Sequence, residues 1–557
     1  MLRLPAMRAA TGALRARLSA HARLPRLARG LRVFVGISGG VDSSVAAAIL
    51  KDQGHDVVGV YMKNWDSADE AGEAVCPHDA DLKSARSVAG HLGVPLVERS
   101  FEVQYWESVF EPFLSAYADG RTPNPDIACN RNVKFGSFFE WCVAEGAEVV
   151  ATGHYARLVR GPASGADDDD DEAGALRDAW AGPESLAAAS ERGGGRPVVC
   201  HAWSAGADDA TLLHAADGDK DQSYFLCAVE RSALPTVALP LGEMVKGRVR
   251  EEASRLGLST ASRRDSTGIC FIGKRSMRSF LPQYLRPTPG AFVEAEGGRE
   301  VGRHEGAQLF TVGQAARVSG VAARLFVLSR DVTDGTVWVV DRWDHPALFA
   351  SSLLLAGAPA LPEGASVDVS RLPSAALLLG PEVPPEGAVW RDAAAACRSE
   401  GGGPVEASRP WRDQRFNWQL PPSWPGFASL ARGEGVRVMA KLNNRMTSAP
   451  ATLWLADVES RAGLVLRLDR PHRAVSAGQV VALYVPMRGA GGGISGLACA
   501  GGAEIAAAGA SLADEGVSAV SPDKEALRAL GVPEPHKGTT WQTPVVGAAG
   551  PGLGWTA

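Results

Sequence analysis

The chain has 557 residues and a net charge of −6, from 57 Lys and Arg against 63 Asp and Glu. This length predicts two to four domains with a large buried core. Because the sequence lacks a run of about 18 apolar residues, neither a transmembrane helix nor a membrane partner is expected. The mildly acidic balance argues against nucleic acid as a partner, unless a local basic surface holds it. The eight cysteines include no C-x-x-C pair, which argues against a zinc ribbon or an ordinary iron–sulfur site.

The amino-terminal segment is strongly basic. The first 32 residues contain eight Arg and no acidic residue, and the first acid in the chain is Asp42. An Arg-rich, acid-free segment without a continuous apolar core is typical of an organelle transit peptide. Residues 1–30 are therefore predicted to be such a peptide, and the mitochondrial matrix is the expected location. A plastid is the alternative organelle, and a basic arm on a cytoplasmic protein is the alternative interpretation.

Strands and helices alternate over residues 31–275. Candidate strands are Val33–Ile37, Val57–Met62, Pro95–Ser100 and Glu148–Thr152. Between them, apolar residues recur at helical spacing. This alternation predicts an α/β domain with a doubly wound parallel sheet, whose ligands bind at the carboxyl ends of the strands.

The segment Ser38–Ser44 joins the first predicted strand to a helix predicted over 45–51. Gly39 and Gly40 allow the backbone to approach a ligand closely, because they carry no Cβ. Hydroxyl groups and the N–H groups at the helix start then face an anion, with the helix dipole behind them. This pattern predicts a pyrophosphate-binding loop, distinct from the G-x-x-x-x-G-K-[ST] loop of kinases. A polar strand-to-helix turn is the structural alternative.

The remainder of the chain predicts β-structure interrupted by poorly ordered segments. Residues 161–200 carry an acidic run, residues 351–430 are rich in Pro, Ala and Gly, and both are predicted to be disordered inserts. A small central β-rich domain is expected over 276–350. A C-terminal antiparallel β-barrel is expected over 431–505, followed by a flexible tail over 506–557. The predicted barrel strands are Val436–Leu442, Ala451–Leu455, Gly463–Leu468 and Val480–Val485.

Two segments far apart in the sequence each carry a cysteine in a polar setting. Arg121–Asn130 contains two prolines, which we expect to exclude helix and to give a rigid extended loop that presents Cys129 beside Asp126. The second segment, Asp265–Gly273, carries Cys270, so any pairing of the two thiols must be made by the fold. A structural loop or core with a buried cysteine is the alternative for each segment.

A third polar segment, Lys220–Ser223, is predicted to face a substrate. Neighbouring acids suggest a calcium loop, but Gln222 and Ala228 stand where such a loop needs Gly and Glu. A helix N-terminus capped by Asp219 or Asp221 is an equally good interpretation.

Taken together, these segments resemble the tRNA-specific 2-thiouridylases, which carry the SGGxDS loop of the PP-loop ATP pyrophosphatases. The resemblance spans most of residues 33–315 and, more weakly, about 436–500. It implies a PP-loop domain, a small central domain and a C-terminal β-barrel. The stretches that carry it are Gly36–Ser44, Tyr61–Trp65, Gly120–Asn130 with Lys134–Phe135, Ala151–Tyr155, Asp219–Leu226 and Asp265–Gly273.

The resemblance also implies roles by position. Cys129 corresponds to the nucleophile and Cys270 to the cysteine that carries persulfide sulfur, while Asp126 is the candidate base near them. The positions implied to bind ATP, with its Mg²⁺, are Gly36, Ile37, Ser38, Gly39, Gly40, Val41, Asp42, Ser43, Met62 and Gly153. The positions implied to contact tRNA are Asn124, Pro125 and Asp126 at the target base, and Lys220, Asp221 and Gln222 elsewhere.

The implied reaction makes 2-thiouridine at the wobble position of tRNAs of the Lys, Glu and Gln type. ATP adenylates the C2 oxygen of the uridine, and sulfur from a Cys270 persulfide replaces it. The implied partners are tRNA and an upstream persulfide donor, either a cysteine desulfurase or a relay protein. A Cys129–Cys270 disulfide is implied at the end of each turnover. The barrel departs from the family pattern, because Asn443–Asn444 stand where an Arg-Tyr pair would contact tRNA.

The alternative enzymatic hypothesis is a PP-loop ligase or amidotransferase that adenylates a small molecule, such as a GMP or argininosuccinate synthetase. Such enzymes need no thiol pair, so replacement of Cys129 and Cys270 distinguishes the two hypotheses. A tRNA- or nucleotide-binding protein without catalysis is the non-enzymatic alternative, and ATP–pyrophosphate exchange would test it.

Overall fold

The computed structural model describes residues 30–65, 77–160, 183–201, 210–264, 271–272, 275–356, 361, 367–379, 416–458, 461–488 and 494–508. These residues form an α/β domain, a small β-sheet domain and a β-barrel. No helix in these ranges is both long enough and apolar enough to cross a bilayer.

The elements are numbered in chain order. The strands are β1 (Arg32–Gly36), β2 (Asp56–Lys63), β3 (Leu96–Ser100), β4 (Val149–Ala151), β5 (Arg157–Arg160), β6 (Val198–Val199), β7 (Ala210–Leu213), β8 (Val237–Ala238), β9 (Gly290–Glu294), β10 (Glu300–His304), β11 (Ala315–Ala316), β12 (Leu325–Arg330), β13 (Val337–Val340), β14 (Phe349–Leu355), β15 (Asn417–Trp418), β16 (Gly435–Lys441), β17 (Ala449–Val458), β18 (Arg461–Arg473), β19 (Val480–Arg488) and β20 (Ile494–Ala508).

The α-helices are α1 (Val41–Asp52), α2 (Pro77–Leu92), α3 (Glu102–Tyr105), α4 (Glu111–Ala118), α5 (Pro125–Ala128), α6 (Phe138–Ala144), α7 (Pro183–Arg192), α8 (Ser223–Leu226), α9 (Lys246–Arg255), α10 (Met277–Phe280), α11 (Ala375–Leu379) and α12 (Gly426–Ala431). Two π-helices occupy Trp106–Phe110 and Cys129–Ser137. Short 3₁₀ turns occupy Arg231–Thr236, Leu281–Gln283, Ala307–Leu309, Pro346–Leu348 and Val369–Arg371.

A parallel sheet forms the centre of the first domain. In the described ranges its strand order is β3-β2-β1-β4-β8, and every neighbouring pair is parallel. Alternate residues of β1 enter different cores: Val33 and Val35 face the core shared with α1, α2 and α9, whereas Phe34 faces the one shared with α6. The predicted doubly wound parallel sheet is therefore confirmed, with helices covering both faces.

The central domain is a mixed β-sheet that shares its core with the first domain. Its described strands follow the order β10-β9-β13-β12-β11, in which β9 and β13 are parallel and the other pairs are antiparallel. Phe292, Val327 and Val337 lie in the same apolar cluster as Cys129 and Phe138. The sheet is thus packed directly against the part of the first domain that carries the candidate nucleophile.

The C-terminal strands close into a barrel, as the sequence predicts. Antiparallel pairs run in the order β14-β18-β17-β16-β19-β20, and β14 also pairs with β20, which closes the ring. Inward residues such as Val436, Leu453, Leu466 and Leu483 are fully buried. The hairpin of β5 and β7 extends this sheet through pairing with β20, so a ribbon from the first domain is joined to the barrel.

Part of the first predicted insert, 161–200, has regular structure, so the prediction of disorder is wrong there. At the end of α7, Nη2 of Arg192 donates to Oδ1 of Asp469 in β18 across 2.7 Å. Gly193 packs so closely on the ring of Trp454 that a Cβ would overlap it. These contacts join residues distant in the chain, which composition cannot reveal.

The second predicted insert, 351–430, is likewise not wholly disordered. Its first residues complete β14, and β14 is part of the closed barrel. Within α11, Leu378 is fully buried in a cluster with Trp454 and Val465. The barrel therefore begins near Phe349, well before the predicted boundary, and its outer surface is covered by pieces of both predicted inserts. The acidic run of the first insert and the predicted transit peptide and tail beyond Ala508 lie outside the described residues.

Candidate active site

The loop between β1 and α1 is organised by its own hydroxyl groups. Ser43 Oγ accepts from the N–H of Ser38 at 3.1 Å and donates to the carbonyl of Gly40 at 3.2 Å. Gly40, the N-cap of α1, has an extended backbone and offers no side-chain cap, and no other described side chain caps this end. The first N–H groups of a helix have no partner within the helix, so this end can receive an anion.

Gly39 allows the loop to pass close to the backbone of Asp81. Its φ is +78°, and a Cβ there would overlap the carbonyl oxygen of Asp81, so only glycine fits without strain. The carbonyl of Gly39 accepts from Arg263 Nη1 at 2.8 Å and from Ser84 Oγ at 3.0 Å. Arg263 also pairs with Asp81. The carbonyl dipole of Gly39 is thus engaged by donors from other segments.

Met62 and Gly153, implied to bind ATP, lie against the same loop. Met62 ends near β1, where its Cε is 3.4 Å from the position that a Cβ on Gly36 would take. Gly153 follows β4, and a Cβ there would stand 2.7 Å from the backbone nitrogen of Ser43. The structure therefore brings the residues implied to bind ATP together at the carboxyl ends of β1, β2 and β4, including Ile37 and Val41, which are buried in the sheet-helix core.

The carboxylate of Asp42 has partners that the sequence analysis did not assign to the site. Lys246 Nζ donates to its Oδ1 and Oδ2 at 2.7 and 2.8 Å, and the hydroxyl of Tyr155 donates to Oδ1 at 2.6 Å. Tyr155 belongs to a stretch that matched the family, whereas nothing local marks Lys246. Only the fold brings it to the loop.

Both oxygens of Asp42 accept hydrogen bonds from Lys246, and Oδ1 also accepts one from Tyr155, so this carboxylate is already engaged. Among the described residues, no group of three His, Cys, Asp or Glu side chains is arranged to hold a metal without a ligand's help. Magnesium usually takes one or two carboxylates and completes its shell with phosphate oxygens and water. A magnesium ion that arrives with ATP would therefore be held mainly by phosphate oxygens and water.

The segment with the candidate nucleophile is helical, so the predicted extended loop is wrong. Asn124 caps α5: its Oδ1 accepts from the N–H groups of Asp126 at 3.1 Å and Ile127 at 3.3 Å. Pro125 occupies the first helical turn, where its missing N–H costs nothing and its φ is already suitable. The chain continues into the π-helix that begins at Cys129, so Asp126 and Cys129 lie one turn apart.

Asp126, Lys134 and His154 are titratable residues around this helix. Burial raises the pKa of the Asp126 carboxyl, and the positive charge of Lys134 opposes that rise. Burial, reinforced by Lys134, holds the pKa of His154 well below its usual value, so the imidazole is neutral at pH 7. His154 Nδ1 is 2.8 Å from Oγ1 of Thr152. Lys134 therefore acts electrostatically on both the α5 acid and the histidine beside Gly153.

Cys270 lies outside the described residues, but its neighbour Phe271 is described. Phe271 is 1% exposed and packs edge-on against Phe113 and Phe110, with ring centroids 4.9 and 5.0 Å apart. It also contacts Trp65 at 5.7 Å. The buried cluster that holds Phe271 includes Cys129. The chain is thus anchored in the core around Cys129 at the position that follows Cys270.

The residues of the segment from Lys220 to Gln222 differ in their exposure to solvent. Lys220 and Gln222 are partly exposed, but Asp221 is buried, so its side chain cannot face a substrate in this structure. Its Oδ1 accepts from the N–H of Ser223, the first residue of α8, at 3.2 Å. This hydrogen bond to a helix-start N–H is close to the alternative interpretation, in which Asp221 caps a helix. Gln222 is bound to Tyr155 twice: its Oε1 accepts at 2.9 Å and its N–H donates at 2.7 Å.

Both accessory domains contact the residues just before α5. Arg330 of β12, which is buried, donates to the carbonyl of Gly120 at 2.6 Å and to Oγ1 of Thr122 at 3.2 Å. From the barrel, the carbonyl of Ala477 accepts from the N–H of Thr122 at 2.8 Å. Gly478 also packs closely against Thr122, because a Cβ added to Gly478 would lie 2.7 Å from the backbone nitrogen of Thr122.

The barrel residues that depart from the family pattern form the turn between β16 and β17. Asn443 Oδ1 accepts from the N–H groups of Arg445 at 3.0 Å and Met446 at 2.9 Å. Asn443 and Arg445 are exposed at this turn. Two asparagines therefore stand where the family resemblance implied an Arg-Tyr pair, and the exposed Arg445 follows them.

Comparison with known proteins identifies relatives over a little more than half of the chain. A family model described as the tRNA methyl transferase HUP domain matches residues 31–178 and 197–274, and one described as the tRNA methyl transferase PRC-barrel domain matches 278–341. The tRNA-specific 2-thiouridylase MnmA of Streptococcus thermophilus is 39% identical over 328 residues, which cover 58% of this chain and 75% of that protein.

The protein of the same name from Streptococcus pyogenes is 39% identical over 329 residues, covering 58% of this chain and 76% of the relative. Among solved structures, a predicted tRNA methyltransferase subunit from Methanocaldococcus jannaschii is similar over 43% of this chain and 76% of its own, at 14% identity. Its TM-score of 0.19 is too low to bear on fold or function.

Proposed function

Because this chain belongs to the tRNA-specific 2-thiouridylase family of sulfurtransferases, we propose that it thiolates tRNA. ATP adenylates the C2 oxygen of the wobble uridine, and persulfide sulfur then replaces that oxygen. The observation that carries the proposal is the contact between Phe135, in the π-helix that begins at Cys129, and His154, next to Gly153 at the ATP loop. Their ring centroids are 5.8 Å apart. The groups for activation and for sulfur transfer are therefore neighbours.

The activation step uses the uncapped end of α1. The uridine O2 attacks the α-phosphorus of ATP, the bond to the β-phosphate oxygen breaks, and pyrophosphate leaves. The free N–H groups of α1 and its dipole stabilise the charge that develops on pyrophosphate. A magnesium ion held by the phosphates and water would neutralise further charge. The adenylated oxygen then leaves as AMP, which a bare carbonyl oxygen cannot do.

The sulfur step uses the two cysteines. Cys270 carries the outer sulfur as a persulfide, which an upstream donor protein supplies. When the Cys129 thiolate attacks the inner sulfur of Cys270, the S–S bond of the persulfide breaks and hydrosulfide leaves with both electrons. Hydrosulfide adds to C2 and displaces AMP, and the Cys129–Cys270 disulfide is reduced by an external thiol. Asp126, whose pKa burial raises, accepts the proton of the Cys129 thiol.

The substrate tRNA must present its wobble base unstacked at α5, where Asn124 and Pro125 begin the helix. Since the whole chain carries a net charge of −6, a local basic surface must hold the phosphates. The tRNAs of the Lys, Glu and Gln type are the proposed substrates. The mitochondrial matrix is the proposed location, which imaging of the full chain beside a chain lacking residues 1–30 would test.

Nucleoside mass spectrometry of tRNA, after incubation with ATP and a persulfide donor, tests this function. Wild type should form 2-thiouridine and AMP. Cys270→Ser should release pyrophosphate with tRNA present but carry no persulfide, and Cys129→Ser should accept persulfide without forming product. Cys142→Ala is the control, because this fully buried thiol has a raised pKa and no role in the scheme.

Full thiolation by Cys129→Ser would contradict the two-cysteine scheme. Adenylation of a small molecule in place of tRNA, unaffected by either cysteine substitution, would instead favour a PP-loop ligase.

A further inference from the structure

Two side chains outside the loop hold the acid of the ATP site. Lys246 Nζ contacts both oxygens of Asp42, and its side chain is 12% exposed. The hydroxyl of Tyr155 adds a third hydrogen bond to the same carboxylate. The ammonium also lies 5.5 Å from the centre of the Tyr155 ring. Three hydrogen bonds from two donors in separate segments therefore converge on a single carboxylate at the start of α1.

We propose that Lys246 and Tyr155 are positioning residues for the pyrophosphate end of ATP, an inference that rests on the proposed function. Asp42 is in the first turn of α1, close to the helix end that receives the phosphates. An unpaired carboxylate there would repel them. Lys246 neutralises that charge, and Tyr155 fixes which way the carboxylate points.

The support for these two residues comes from outside the loop. The N–H of Lys246, the first residue of α9, donates to Oδ2 of Asp217 at 2.8 Å. Tyr155 is fixed by its paired hydrogen bonds with Gln222 at 2.9 and 2.7 Å. Both donors are thus anchored to the stretch 217–222, which lies outside the loop that carries Asp42.

Their chemistry differs in a way that experiments can separate. Lys246 supplies a full charge, so its removal acts on the affinity for an anion. Tyr155 supplies one neutral hydrogen bond, so its loss changes the orientation of the Asp42 carboxylate but not the net charge of the site. Neither residue touches Cys129 or the sulfur donor in the proposed scheme. Their replacement should therefore leave persulfide loading on Cys270 intact.

The test measures the Kd for magnesium–ATP by isothermal titration calorimetry and the KM and kcat of tRNA thiolation. Lys246→Met should raise the Kd at least tenfold, which corresponds to about 1.4 kcal/mol. Lys246→Arg should restore most of the affinity, because it restores the charge. Tyr155→Phe should raise the Kd about threefold, as expected for loss of one neutral hydrogen bond. Arg248→Met is the control, since Arg248 is on the same helix but pairs with Glu251 on the surface.

An unchanged Kd for Lys246→Met would overturn the proposal. If that variant does not fold, Tyr155→Phe and Lys246→Arg decide, and wild-type affinity in Tyr155→Phe together with tenfold loss in Lys246→Arg would also overturn it. Failure of the proposed function looks different: wild type would bind magnesium–ATP and respond to the Lys246 variants, yet form no 2-thiouridine.

Discussion

Lys441 and Asp221 form a buried ion pair, in which Nζ donates to Oδ2 across 3.0 Å and the side chains are 5% and 2% exposed. Asp221 Oδ1 also accepts from the N–H of Ala215 at 3.0 Å. Lys441 ends β16 of the barrel, whereas Asp221 precedes α8. The pair therefore joins the barrel to the first domain, at a place where the sequence suggested contact with tRNA.

Lys441→Met should destabilise the protein by about 3–5 kcal/mol, because it leaves a buried carboxylate without its cation. Urea denaturation of the full chain measures this. The double variant Asp221→Asn with Lys441→Met should recover most of the loss, since no charge is then left buried. If the double variant is stable yet loses tRNA affinity, Asp221 has a role in tRNA binding that its burial argues against.

Gly153→Ala should weaken ATP binding more than tenfold. Its Cβ would stand 2.7 and 2.8 Å from backbone atoms of Ser43 and Asp42, which cannot move without displacing the start of α1. Gly90→Ala is the control, since nothing lies within 4 Å of its added Cβ in α2. That substitution should stabilise the helix by about 0.5–1 kcal/mol. Calorimetric titration with ATP and thermal unfolding test both; equal ATP affinities would remove Gly153 from the site.

Asn124→Ala should slow thiolation and cost about 1 kcal/mol of stability, because α5 loses its N-cap. Asn124→Ser keeps a capping oxygen and should retain much of the rate. Single-turnover thiolation, with ATP affinity measured in parallel, distinguishes the causes. If the serine variant is as slow as the alanine variant while its stability is normal, the amide of Asn124 acts on the target base and not only on the helix.

Acidification should destabilise the fold between about pH 6.5 and 4. Burial lowers the pKa of His214 to about 4, against an opposing effect of Asp221, and burial with help from Arg473 lowers that of His472 to about 4. In this interval the unfolded chain binds protons that the folded chain does not, so the free energy of unfolding falls as pH falls. This loss of stability is complete below about pH 4, the pKa of both histidines in the folded chain, and it is absent above about pH 7.

Each of these histidines should contribute on the order of 2 kcal/mol to that loss. Denaturant titrations at pH 7.5 and 4.5 measure it. His472→Gln should flatten the dependence on pH, whereas His91→Gln, at an exposed position of α2, should leave it unchanged. An identical slope in wild type and His472→Gln would show that the folded and unfolded chains protonate His472 equally, so that burial does not lower its pKa.

Local pattern was sufficient to predict the parallel sheet and the loop Ser38–Ser43. Both depend on neighbouring residues: apolar runs that form buried strands, and glycines and hydroxyls placed directly before a helix. The wrong prediction of an extended loop at Asn124 and Pro125 also concerned neighbouring residues. Proline excludes helix from its interior but favours the first turn, and the preceding Asn supplied the cap.

Contacts between distant residues could not be predicted in the same way. Lys246 reaches Asp42 across 204 positions and Lys441 reaches Asp221 across 220, so neither partner is marked by its neighbours in sequence. Asp221 is polar and lies in a polar stretch, which favours a surface position. Its burial is tolerated because a cation from the barrel and N–H groups of Ala215 and Ser223 meet it.

The attachment of Thr122 to both Arg330 and Ala477 has a mechanical consequence. The central domain and the barrel both help to fix where α5, the helix that leads to Cys129, begins. A rotation of either domain should therefore displace Thr122 and, two residues later, Asn124 at the start of α5. A substitution on a remote face of the barrel should then change the rate of thiolation more than the affinity for ATP.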